Sequence, residues 1–314
     1  MTPRGRSLAL HLGLIALLFI LGFILPVYHQ GNLARILVLA TYAVGYNVLF
    51  GYTGLLSLGH AMFFAAGMYG LGLAMQHGGV AALPAFFLGI AAAALLSAAV
   101  ALLALRTLGV AFMIVTLMFA QAAFLAILYF GEWTRGDEGF VLPQAARRIA
   151  GFDLTDPMTR YMAALLLFAA ALLATARMMQ VPFGSVLIAV RENEERTRML
   201  GYDVFMHKFA AVVISGTLSG AAGAAYGLMF GYVGATFASV QYSIFPLLWV
   251  LLGGAGTTIG PLVGAFFTFY LIDYASSLTS AYMLVVGLVL VLLTLFASGG
   301  IMGEVRKRLL PWLP

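Results

Sequence analysis

The sequence predicts an all-α protein, a polytopic transmembrane helical bundle of about ten spans. Three observations predict it. First, 63% of the 314 residues are hydrophobic and 9% are charged, with a mean hydropathy of +1.04. Soluble domains carry about 25% charged residues. Burying so much apolar side chain in one water-soluble core would leave too little polar surface, so lipid is the solvent for most of the chain. Second, the apolar residues come in runs close to the ~20 residues that a helix needs to cross a bilayer. Third, Arg and Lys collect in alternate gaps between the runs, the asymmetry that sets membrane orientation.

The same composition excludes several classes. The chain has no cysteine, hence no disulfide framework, thiolate metal site or thiol nucleophile. The net charge of +5 is spread over the gaps between apolar runs, so orientation explains it better than nucleic-acid binding does. No G-x-x-x-x-G-K-[ST] phosphate loop occurs. No spacing of carboxylates, histidines or serines suggests catalysis or a metal site. The chain therefore reads as a non-enzyme that binds no cofactor or metal itself, and energy must come from a partner or a gradient.

The candidate spans are 8–25, 33–50, 60–76, 83–104, 109–130, 160–178, 209–230, 238–252, 261–276 and 281–298. A signal peptide also begins with basic residues and an apolar run. Here Arg4 and Arg6 precede the first run, but the run is long. Pro26-Val27-Tyr28-His29 follows it rather than a small-residue cleavage site, so it reads as an uncleaved span. The eighth span is short and contains Pro246, and the third and ninth begin beside glycine-rich breaks. With the N-terminus inside and every span crossing once, the cytoplasmic face receives Arg4, Arg6, Arg106, Arg177, Arg191, Arg196, Arg198, Lys208, Arg306, Lys307 and Arg308. The outer face receives Arg35, Arg135, Arg147, Arg148 and Arg160. Adding or removing one span would split the 191–208 cluster from the 306–308 cluster. Ten spans with both termini cytoplasmic is the consistent count.

Two polar stretches exceed a turn: an outer loop over 131–159 and an inner loop over 179–208. Neither is large enough for a domain, so 1–314 reads as one transmembrane domain. An internal echo also stands out. Gly51-Tyr52-Thr53-Gly54 with Ser57 closes the second span, and Gly231-Tyr232-Val233-Gly234 with Ser239 closes the seventh. An offset of five spans turns the second copy upside down, as in the inverted repeats of transporters. Coincidence is the competing explanation, because Gly-Tyr pairs are frequent in membrane helices.

Within the inner loop, Arg191–Tyr202 is dense in helix formers and has Gly201 where a helix C-terminus calls for one. Its plain reading is a solvated connecting helix; its sharper one is a helix that docks into another protein. Around Gly51–Gly59 and Gly253–Gly260 the helices are expected to break. Irregular backbone at membrane depth survives only where protein or a water-lined cavity satisfies it. A helix starting near Ser57 or Thr258 presents free N–H groups and a positive dipole end, suited to a passing carboxylate. The candidate path residues are Gly51, Tyr52, Gly54, Ser57, Gly59, His60, Phe63, Phe64, Gly254, Thr257 and Thr258. Tyr52, Phe63 and Phe64 would supply apolar lining. The competing reading is that these glycines only allow close helix packing. His60 is either a proton relay or a histidine bonded to its own turn near a predicted membrane boundary, the more ordinary outcome. Asp273 falls near the outer end of the ninth span and reads as interfacial. Deep charge is otherwise nearly absent, which disfavours an ion-driven carrier or a cation channel.

Five stretches, in order, resemble one family. Gly51-Tyr-Thr-Gly-Leu-Leu-Ser-Leu-Gly-His-Ala-Met-Phe-Phe-Ala-Ala-Gly-Met-Tyr69 resembles the G-x-x-G-x-x-S-x-G-H-x-x-F-x-x-x-G-A-Y signature of the branched-chain amino-acid permeases, the LivH/LivM pair. The run 106–121 (RTLGVAFMIVTLMFAQ), the loop Thr134–Gly139, the segment Ala189–Gly201 and the stretch Gly253–Gly264 are similar to that family's other motifs. The 134–139 loop favours the LivM type, although Arg135 stands where the family has glycine. The resemblance covers about residues 33–300. It implies that Arg191, Glu194, Glu195, Arg198 and Gly201 belong to a coupling helix that inserts into an ATPase. Glu195 and Gly201 keep the E-A-A-x-x-x-G spacing, but Arg196 and Thr197 replace its alanines. The resemblance further implies partners: a LivH-type sister permease, two cytoplasmic ATPases that bind ATP and Mg, and an extracytoplasmic binding protein docking near 131–159. It implies a bacterial inner (plasma) membrane location. Importers of urea, short amides or aromatic acids belong to the same family. A gradient-driven carrier and a non-transport scaffold are the alternatives from other classes.

Overall fold

The computed structural model describes residues 3–149, 151–296 and 299–308. The side chains of Arg4, Arg6 and Arg308, three of the charges used above for orientation, lie outside the described ones. The chain forms α1 (Pro3–Ile24), α2 (Val27–Asn47), α3 (His60–Gln76), α4 (Ala82–Ala104), α5 (Val110–Tyr129) and the single turn α6 (Gly131–Thr134). These are followed by α7 (Pro157–Met179), α8 (Pro182–Glu192), α9 (Glu194–Met199), α10 (Val204–Phe230), α11 (Val240–Gly253), α12 (Gly260–Leu278), α13 (Tyr282–Phe296) and α14 (Gly300–Arg308). Four two-residue strands, β1 (Phe140–Val141), β2 (Arg148–Ile149), β3 (Phe152–Asp153) and β4 (Tyr232–Val233), form two small antiparallel pairs, β1 with β4 and β2 with β3.

Each expected apolar run contains a helix, residues 297–298 of the tenth lying outside the described ones, but the helices are unequal. Among the described residues, seven helical stretches are long and apolar enough to cross a membrane: 7–24, 27–52, 82–104, 110–129, 157–179, 204–230 and 260–278. α3, α11 and α13 have 17, 14 and 15 residues. At about 1.5 Å per residue neither α3 nor α11 reaches the ~30 Å hydrocarbon thickness by itself. α3 and α11 are short because each begins after an irregular stretch, where α2 and α10 have already turned. The outside of the bundle is as apolar as its inside: Leu17, Leu95, Leu125 and Leu166 are all exposed. Helices that are hydrophobic all round need a non-aqueous solvent.

α10 is the central element. It packs on α2, α3 and α4, while α2 also packs on α7, α11 and α12. Small residues set the spacing. Gly67 of α3 meets the Gly220 carbonyl of α10, and Gly223 of α10 meets that of Phe64. Neither position could hold a Cβ, and such contacts let membrane helices approach by van der Waals packing. α1 lies against α7, tied by the Tyr161 hydroxyl donating to the Leu18 carbonyl at 2.5 Å.

The two polar loops occupy opposite ends of α7. The first is ordered by strand pairing and by its carboxylates. Asp156 caps α7, accepting from the Thr159 N–H at 2.8 Å and the Thr159 hydroxyl at 2.9 Å. Asp153 accepts from the Thr155 N–H and hydroxyl at 2.8 and 2.7 Å and faces Arg148 at 3.5 Å. The second loop holds α8 and α9. The single helix expected over 191–201 is divided: Asn193, in extended conformation, ends α8 and caps α9 through its side chain, which accepts from the Arg196 N–H at 2.9 Å.

Candidate functional site

The first break is built from α2 onward. α2 widens into a π-helical turn at Val48–Tyr52, a form found mostly at functional interruptions. Thr53–Gly59 is then irregular until α3 begins. Its backbone groups are not left bare. The Tyr46 hydroxyl donates to the Ser57 carbonyl at 2.9 Å. The Leu58 N–H donates to the Thr116 hydroxyl at 3.3 Å. The Gly59 N–H donates to the Ser57 hydroxyl at 3.2 Å. Gly59 itself lies so near α5 that an added Cβ would stand 2.5 Å from the Thr116 carbonyl oxygen.

The second break repeats the design at the other end of the bundle. α10 stops at Gly231, whose φ of +77° turns the chain away. β4 pairs with β1, a 3₁₀ turn covers Ala235–Ala238, and α11 follows. The first turns of α3 and α11 meet inside the bundle: the Ala61 N–H donates to the Ser243 hydroxyl at 3.0 Å. Phe64 packs, with tilted rings, among Tyr42, Tyr226, Phe237 and Tyr242 around this junction. Two helix N-termini with their positive dipole ends thus converge in the middle of the bundle.

His60 opens α3 and is fully buried. Its Nε2 lies 2.7 Å from the Ser215 hydroxyl, and its Nδ1 lies 3.2 Å from the Ser57 hydroxyl. Ser215 donates its own proton to the Gly45 carbonyl at 2.6 Å. Ser215 must therefore accept from the Nε2–H of His60. This is the turn-bonded histidine, with both nitrogens already used and reaching across to α10.

The third break, between α11 and α12, sits at the end that carries α8 and α9. Gly254 and Gly256 have φ of +115° and +77°. Asn47 clamps this loop to α2: its Oδ1 accepts from the Gly256 N–H and its Nδ2 donates to the Thr257 carbonyl, both at 2.9 Å. The Thr257 hydroxyl donates to the Gly254 carbonyl at 2.7 Å, and the Thr258 hydroxyl pairs with His11 Nε2 of α1 at 2.7 Å. Arg191, at the end of α8, donates to the Gly51 carbonyl and lies beside Gly256.

Of the path residues expected from the sequence, only Gly54 is exposed. Gly51, Tyr52, Ser57, Gly59, His60, Phe63, Phe64, Gly254, Thr257 and Thr258 are all buried. Phe63 is not part of the junction: it packs with Met62, Val100 and Phe112 on the α4–α5 side. Asn47 was not singled out from the sequence, although a lone amide inside an apolar run is itself a signal, since buried polar groups need partners. Glu195 and Arg198 of α9 and Gly201 just beyond it are exposed, while Glu194 bonds Arg198 at 3.2 Å and also pairs with the buried Lys208. The tip also exposes Met199 and Leu200, at 80% and 71%, which sequence reasoning passed over as ordinary apolar residues.

Apolar outer faces, three glycine-rich interruptions and a projecting two-helix loop define a multi-pass α-helical membrane protein with broken helices at its core. Residues 30–296 match the family described as the permease component of the branched-chain amino acid transport system, and the chain belongs to that family. It is 29% identical to the high-affinity branched-chain amino acid transport permease LivM of Salmonella typhimurium. It is 28% identical to the LivM protein of Escherichia coli. Each similarity covers 85% of this chain and 68% of the relative. No solved structure matches it.

Proposed function

We propose that this chain is the LivM-type transmembrane subunit of an ATP-driven importer of branched-chain amino acids in a bacterial inner membrane. It crosses the bilayer ten times with both termini in the cytoplasm, and it binds neither ATP nor metal. Two ATPase subunits hold ATP and Mg, a LivH-type sister completes the membrane part, and a binding protein delivers substrate to the 131–159 loop. The observation that carries this reading is the link from the loop to the first break. α9 projects from the bundle, and the last turn of the helix before it carries Arg191, which grips the Gly51 carbonyl beside Gly256. A push on α9 is thereby passed to the two interruptions that the side chain of Asn47 holds together.

Support for the inverted repeat comes from the packing. α10 packs on α3 and α4 as α2 packs on α11 and α12, and α3 pairs with α4 as α11 pairs with α12. Gly51 contacts the 179–208 loop and Gly231 contacts the 131–159 loop, so the two echoed motifs lie at opposite ends. Broken half-helices from inverted repeats, with N-termini facing a substrate carboxylate, are how many transporters build their path. Apart from the exposed Gly54, the path residues are packed shut, as expected of a closed state that ligands bias toward opening.

The test is reconstitution with the partner subunits. Uptake of labelled leucine should require ATP and survive collapse of ion gradients; uptake abolished by that collapse would mean a gradient-driven carrier. Replacing Glu195 and Gly201 together should leave the fold intact and disconnect ATP hydrolysis from transport. Unchanged coupling in that variant would remove α9 from the mechanism.

A further inference from the structure

A cavity of about 330 Å³ opens among α2, α10, α11 and α12 at the end of the bundle that carries the 131–159 loop. This is within the ~300–1,000 Å³ range of small-molecule sites. Its wall is aromatic, with Tyr226, Tyr242, Phe245 and Trp249, and it is bordered by one cation, Arg35, and one anion, Asp273. Phe245 and Trp249 stack with parallel rings 5.8 Å apart.

The charges are poised rather than spent. The Arg35 guanidinium rests 5.1 Å from the Phe230 ring, and that of Arg160 rests 5.5 Å from the same ring. Arg147 is 8% exposed, reaches only the Met229 carbonyl at 3.4 Å, and leaves its buried Nε without a partner. No ion pair among the described residues involves any of these three arginines. Asp273 receives a single long hydrogen bond, 3.4 Å from the Tyr28 hydroxyl, and forms no ion pair with Arg35. Arg160 feels the like charges of Arg147 and Arg35 more than the opposite charge of Asp156, and three neighbouring cations outside any ion pair raise the local positive potential, which favours an incoming anion. A guanidinium presents the planar fork that matches a carboxylate.

We propose that this cavity is a receiving site for a free α-amino acid with an apolar side chain: Arg35 binds its carboxylate, Asp273 its ammonium, and the Tyr226–Tyr242–Phe245–Trp249 wall its side chain. The assignment deepens the importer reading above and rests on it. Neither charged residue was placed in the substrate path by the sequence. The chemistry requires both charges of the zwitterion, so an amino acid should bind better than either of its singly charged analogues.

The test uses the assembled transporter in lipid nanodiscs without its binding protein, with labelled L-leucine displaced by unlabelled leucine, its keto acid or its amine. For the wild type, leucine should displace best, with the two analogues at least tenfold weaker. Arg35→Gln should abolish displacement by the keto acid and leave the amine unchanged. Asp273→Asn should do the reverse. A uniform effect of either variant on both analogues, or no leucine binding by a wild-type complex that still imports leucine with ATP, overturns this site and leaves the importer reading standing. A wild-type complex that imports no branched-chain amino acid overturns both.

Discussion

At the scale of single residues, Asn47 ties distant parts of the chain together. Its amide makes one donated and one accepted bond to a loop 210 residues away. Asn47→Ala leaves the Gly256 N–H and the Thr257 carbonyl short of a partner, which costs about 1–3 kcal/mol per buried group. Thermal denaturation in detergent should show a melting point lowered by several degrees. Gly59→Ala should be comparably harmful, since overpacking costs about 1–3 kcal/mol and the backbone of α5 stands in the way. Gly31→Ala, with nothing within 4 Å of an added Cβ, is the neutral control. In the outer loop, hydrogen bonds from Thr155, then the field of Arg148, hold the Asp153 carboxyl below the usual carboxylate range. Bonds from Thr159 do the same for Asp156. A depressed folded pKa means that the stabilisation is present above the unfolded value, about 4, and disappears as pH falls through the lower folded value. Protease protection around Asp153 and Asp156 should therefore hold near neutral pH and be lost as pH falls below the usual carboxylate range, about 4. Asp156→Asn, which still caps the helix, should retain more of it in acid.

At the scale of elements, α3 and α11 show how a helix too short to cross alone is still usable. Each starts from an irregular segment whose polar backbone is satisfied by Tyr46, Thr116 and Ser57 in one case and by β1 pairing in the other. α9 is the complementary case: a six-residue helix held from behind by Glu194 and Lys208 and open in front. Its exposed Met199 and Leu200 fit an apolar groove of a partner better than they fit water. Replacing both by serine should leave the melting point of the permease unchanged, because neither is buried. It should lower transport coupling at least tenfold, measured as leucine imported per ATP hydrolysed. Wild-type coupling in that variant would mean that α9 docks through its charges alone or not at all.

At the scale of the whole molecule, the orientation can be read directly because the chain has no cysteine. Glu195→Cys and Asp137→Cys are each unique thiols in exposed loops. A membrane-impermeant maleimide should label the first only in inside-out vesicles and the second only in intact cells. The reverse pattern would turn the bundle over and remove the ATPase from α9.

The amino-acid sequence alone determined the lipid solvent, the apolar runs, the glycine breaks and the helix stop at Gly201, because composition, run length and positive-φ glycines are local properties. The five ordered motifs already pointed to the family. Only the tertiary structure decided that the first turns of α3 and α11 meet at Ala61 and Ser243, and that His60 is bonded across to α10. It also decided that Phe63 and Phe64 face different neighbours, that Arg191 leaves the coupling helix to hold Gly51, and that Arg35 and Asp273 share one cavity. Each of these depends on which distant side chain fills the other half of a hydrogen bond or a contact. In a chain whose runs are nearly all equally apolar, no periodicity marks which face meets which partner, so close packing alone makes that choice.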